Sequence, residues 1–169
     1  MANYAVYNTI SLRSNYGDYR AYAQKDRRSD ADTSTLSFAD ASALRKAIKG
    51  LGSYNYEDSD DQELYDKIRA LADTYNYTLD SAKKEGLENA NPKVKGAMNN
   101  LKKLASEYSD ELSKYGISVD GNGYMSVSDT ATKNITHTKF EKILGKESDF
   151  AAGVSKYAKK ITSNIDIYL

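Results

Sequence analysis

Two stretches of this chain space their apolar residues in a way that suits only a helix packed lengthwise on a neighbour. Leu64, Ile68, Leu71, Tyr75, Leu79 and Ala82 recur at steps of 4, 3, 4, 4 and 3, and Phe150, Val154, Tyr157, Ile161, Ile165 and Tyr168 repeat the same steps. Alternation between three and four keeps side chains on one face of a 3.6-residue turn. A third series, Val94, Leu101, Tyr108 and Tyr115, runs at strict sevens with Met98, Leu104, Ala105 and Leu112 between. Five acids lie between Glu57 and Glu63, and negative charge favours a helix N-terminus, so a long helix is expected to begin near Asp60. Gly86 is expected to end it. Asn91 before Pro92 reads as a cap followed by a first helical position, and Gly116 as the next stop. Two helices of about 24 residues, each about 36 Å long, joined by a short loop must run antiparallel. The expected fold is therefore mainly α: an elongated antiparallel helical hairpin or three-helix bundle, its seam formed by Leu64, Ile68, Leu71, Tyr75, Leu101, Leu104, Tyr108 and Leu112. The last helix, capped by Ser148 or Asp149, is expected to pack on that hairpin and to run to Leu169.

Two segments are organised differently. Residues 1–34 are polar and rich in tyrosine, with Tyr4, Tyr7, Tyr16, Tyr19 and Tyr22 spaced by threes in two groups, and form a separate N-terminal segment before a bundle over 35–169. Ser37 with Asp40 resembles a capping box, Ala41, Leu44, Ile48 and Leu51 follow at helical spacing, and Gly50 and Gly52 stop what reads as a short helix. The stretch "KYGISVDGNGYMSVSD", 114–129, reads as a β-hairpin over 117–127. Ile117 and Val119, then Met125 and Val127, alternate around Asp120, Gly121, Asn122 and Gly123, and Asp-Gly and Asn-Gly tolerate the positive φ of tight turns. A calcium loop fails on spacing: its sixth position would be Met125 in place of glycine, and no glutamate closes it. Gly121 and Gly123 are thus expected to serve backbone geometry. Ser128 or Asp129 caps a short helix, and Phe140, Ile143 and Leu144 form an apolar patch that Gly145 breaks.

Chemistry is sparse. Lys plus Arg balances Asp plus Glu at 24 each, with no uniformly basic stretch, so the footprint of a nucleic-acid binder is missing. No run of about 18 apolar residues suggests a membrane span, and residues 1–30 hold no apolar core of a cleaved signal. The chain has no cysteine and one histidine, His137, which leaves no metal-ligand set or thiol nucleophile. The glycines near 50–55 lack a Walker lysine, and Asp60 and Asp61 read as partners of a helix dipole. No metal, cofactor or catalytic site is expected. The fifteen tyrosines offer large contact area at small entropic cost, which makes Tyr4, Tyr7, Tyr19, Tyr22, Tyr157 and Tyr168 candidate interface residues.

Roughly over residues 64–169, the chain resembles a known family. The "YN" pair (Tyr75, Asn76) in the first long helix, the corner "LSKYGISVDGNGYMSV" and the downstream "FEKILG" followed by "DFA" and a closing helix are similar to the C-terminal conserved region of the flagellar filament cap, a hook-associated protein. The resemblance implies a coiled-coil leg with a hairpin at its tip, standing on the end of the flagellin filament, with Gly116 and Ile117 at the corner where the leg folds back. It implies flagellin or hook-associated proteins as partners, possible homo-oligomers, and an extracellular location reached by flagellar-type export. The family's large outward-facing region and its terminal helices have no counterpart in these 169 residues. The competing expectation is a helical adaptor, secreted or cytoplasmic, unrelated to flagella.

Overall fold

A computed structural model describes residues 31–57 and 60–165. Among them are seven helices and one two-stranded antiparallel sheet: α1 (Thr33–Gly52), α2 (Asp61–Glu88), α3 (Pro92–Glu107), α4 (Ser109–Ser113), β1 (Ile117–Val119), β2 (Met125–Val127), α5 (Asp129–Lys133), α6 (His137–Leu144) and α7 (Asp149–Thr162). The molecule is a mainly helical bundle with a small β-hairpin. The four long helices close a ring in which α1 packs on α2, α2 on α3, α3 on α7, and α7 back on α1. Their inward stripes meet in one apolar cluster that includes Leu44, Ile48, Ile68, Tyr75, Leu101, Phe150 and Val154. No helix among the described residues is long and apolar enough to cross a membrane.

The helix starts follow the expected chemistry. Asp60 accepts from the Glu63 amide, Asn91 from Val94 ahead of Pro92 at the first turn, Ser128 from Ala131 and Ser148 from Ala151, each satisfying an amide that has no intrahelical partner. Asn91 has a second role, donating to the Asn164 carbonyl at 2.8 Å and tying the chain after α7 to the start of α3.

Five local expectations are corrected. The first helix is not short: its cap is Asp32, accepting from the Thr35 amide at 3.1 Å, and it runs through Gly50 to Gly52. Ser37 and Asp40 lie inside this helix, buried, and do not cap it. Gly86 does not end α2, which continues to Glu88. A Cβ there would come within 3.1 Å of Lys95 Cβ, so this glycine permits close approach of α3. The reversal follows at Asn89–Asn91, with Ala90 at φ 47°.

The helix from Pro92 does not reach Gly116. Tyr108 leaves the helical region (φ −99°, ψ 7°), its ring 5.5 Å from that of Phe150, and the separate α4 begins at Ser109. The last helix stops at Thr162, where the Ser163 and Asn164 amides turn back to helix carbonyls. Ile165 is still buried, but beyond the helix. Helix α1 begins at Thr33, two residues ahead of the expected boundary at 35.

Candidate functional site

The expected hairpin forms with Ile117 opposite Val127, Ser118 opposite Ser126 and Val119 opposite Met125. The Gly123 amide donates to the Asp120 carbonyl and the Asp120 amide to the Tyr124 carbonyl, both at 2.9 Å. Gly123 has φ 83°, so the loop is the three-residue kind whose third residue is left-handed. Asp120 holds it together: one carboxylate oxygen accepts from the amides of Asn122 (2.8 Å) and Tyr124 (2.9 Å). That oxygen is occupied by the main chain, and among the described residues no group of three or more His, Cys, Asp or Glu is placed to hold a metal.

Two glycines of this corner are conformationally required. Gly116 has φ 74°, and a Cβ there would lie 2.7 Å from Thr132 Oγ1 and 2.9 Å from the Thr132 amide nitrogen. Gly123 faces the stem of Lys102, whose Cγ would be 3.0 Å from an added Cβ. Gly121 has neither a positive φ nor any atom within 4 Å of such a Cβ. The expectation that Gly121 serves backbone geometry is therefore corrected. Once Asp120 holds the Asn122 amide, only the third loop residue needs the left-handed region.

The hairpin is docked on α2 by side chains that stand one helical turn apart. Asn76 donates from Nδ2 to the Met125 carbonyl and accepts on Oδ1 from the Met125 amide, both at 2.8 Å. Its amide thus imitates a neighbouring strand and satisfies the outer edge of β2. Four residues on, Asp80 accepts from the Tyr124 hydroxyl at 2.6 Å. This hydrogen bond, helped by burial, pushes the Tyr124 phenol up to about 12. Lys102 of α3 lies over the same ring, 5.5 Å from its centre. Beneath the corner, buried Tyr75 donates to the Leu101 carbonyl at 3.2 Å, and burial raises its phenol well above the ordinary tyrosine value.

A second polar cluster joins the start of α2 to α5 and α6. The buried Tyr65 hydroxyl donates to Asp129, which Arg69 approaches at 3.8 Å, and Arg69 and Lys133 both lie over the Tyr65 ring. His137 Nε2 is 2.6 Å from Asp61 Oδ1. Asp60 caps α2, so the two neighbouring acids act on a helix terminus and on an adjoining helix. The cluster holds α5 and α6 against the start of α2 through groups already paired with one another.

Of the seam residues, Leu64, Ile68, Leu71, Tyr75, Leu101 and Leu112 are buried, while Leu104 and Tyr108 pack against the core from its edge. Of the candidate interface tyrosines, Tyr157 is half-buried on α7 with Lys156 and Lys160 near its ring. Tyr4, Tyr7, Tyr19, Tyr22 and Tyr168 lie outside the described residues. Sequence reasoning missed the docking set Asn76, Asp80, Lys102 and Tyr124. The available signal was the pair of polar residues Asn76 and Asp80 four apart, flanking the apolar seam of α2. Comparison with protein-family models, with curated proteins and with solved structures finds no match for this chain.

Proposed function

We propose that this chain is a structural assembly protein, a leg-like module similar to that of the flagellar filament cap, working through protein–protein contacts and not through catalysis. The observation that supports this most is the docked corner. The Tyr75-Asn76 pair and the Leu112–Val127 stretch, two of the three sequence features of the resemblance, are joined by the paired hydrogen bonds between Asn76 and Met125. A rigid turn at one place on a helical bundle suits an element that must present a fixed shape to a partner. The partners proposed are flagellin and hook-associated proteins, with further copies of the chain as a second possibility, and the proposed location is extracellular by flagellar-type export.

The test is co-sedimentation of the full chain with polymerised flagellin from the same source, beside Asn76→Ala. Retention of the chain on filaments, weakened in the variant, supports the proposal. Recovery of all the protein in the supernatant, with hook-associated proteins failing to retain it as well, leaves the unrelated helical adaptor as the reading.

A further inference from the structure

The hairpin loop contains a site of spontaneous covalent change together with the groups that restrain it. We infer that Asp120 protects Asn122 from deamidation at the Asn122–Gly123 peptide bond. An asparagine followed by glycine is prone to this reaction because no Cβ hinders the approach of the following backbone nitrogen. The Gly123 nitrogen gives its proton to solvent hydroxide and attacks Asn122 Cγ. The bond from Cγ to the side-chain nitrogen breaks, and ammonia leaves with a proton from water. Water then opens the five-membered imide at either carbonyl, yielding aspartate or an isoaspartate whose main chain runs through Cβ. No oxidant or reductant takes part.

Asn122 is exposed, so burial of its side chain does not prevent the reaction. Opposition comes from the backbone around it. The Gly123 amide proton needed for the first step is held by the Asp120 carbonyl at 2.9 Å. Gly123 is itself buried, against the stem of Lys102. On either side of the reacting bond, the Asn122 and Tyr124 amides are fixed to one oxygen of the Asp120 carboxylate at 2.8 and 2.9 Å. Cyclisation requires that these bonds open and that Gly123 swing out from Lys102. The Asp120 carboxylate also places negative charge beside an amide that must become an anion to react. An isoaspartate would add a backbone atom to a three-residue loop and undo the register that lets Met125 meet Asn76.

The experiment follows the mass of the fragment carrying Asn122, together with enzymatic methyl labelling of isoaspartate, during incubation at mildly alkaline pH. It compares the full chain, its Asp120→Ala and Gly121→Ala variants, and a synthetic peptide spanning residues 116–128. The peptide should react at least ~10-fold faster than the folded chain, as expected when a held amide must first open. Asp120→Ala, with its helical content checked by circular dichroism, should fall between the two, and Gly121→Ala should match the parent. Reaction of the folded parent chain as fast as the peptide overturns the inference whether or not any variant folds, and so does an Asp120→Ala chain that folds yet reacts no faster than the parent.

Discussion

Single residues decide the geometry of the corner. Gly123 combines φ 83° with contact against Lys102. Gly123→Ala should destabilise the protein by ~1 kcal/mol or more, because a side chain is strained in the left-handed region. Gly121→Ala should lie within ~0.5 kcal/mol of the parent, as for a surface substitution. Denaturant unfolding of the two variants side by side checks this, and equal losses would contradict the loop geometry. The turn itself was legible, since Asp-Gly and Asn-Gly both announce one. Which glycine carries the positive φ was not, because the sequence offers two equivalent candidates and the choice depends on where the Asp120 carboxylate finds its amides. Asn76 was equally hidden: a polar residue beside a helix seam reads as solvent-facing until the strand edge that it satisfies is in view.

At the scale of elements, periodicity predicted the buried faces well and the helix ends less well. The caps at Asp60, Asn91, Ser128 and Ser148 were readable because each relies on chemistry within three residues of itself. Gly86 and Tyr108 were misread because their roles are set by other helices, Lys95 of α3 in one case and Phe150 of α7 in the other. Leu101 of α3 is fully buried, and Leu101→Ala should cost ~2–4 kcal/mol through lost burial and the cavity left behind. A loss below ~0.5 kcal/mol in equilibrium unfolding would place it outside the core.

The contact between hairpin and α2 carries its own pH dependence. Donation to Asp80 raises the Tyr124 phenol from its ordinary value to about 12. A group whose pKa is raised by folding contributes stability that is fully present below the unfolded value, and that stability is lost as pH climbs through the folded one. The contribution of the Tyr124–Asp80 hydrogen bond should therefore hold at neutral pH and vanish between the ordinary tyrosine value, about 10, and about 12. In Asp80→Ala the Tyr124 titration, followed by its ring resonances, should move back toward the ordinary value. An unchanged titration would mean that another group sets it.

For the whole molecule, the sequence conveyed a bundle but understated α1, which closes the ring between α2 and α7 as a full member. Its spacing was visible from Ala41 onward. Its first turn was not, because buried Ser37 and Asp40 read as polar cap residues although they lie inside the helix. Nothing in a stripe of apolar residues says which other stripe it meets, so the ring order could come only from the assembled structure. Whether this bundle assembles with the proposed partners is read by sedimentation velocity of the chain alone and mixed with monomeric flagellin or hook-associated proteins. At least one mixture should give a heavier boundary, with an affinity in the micromolar range expected of transient assembly contacts. A strictly monomeric boundary, unchanged with every partner up to ~100 μM, would contradict it.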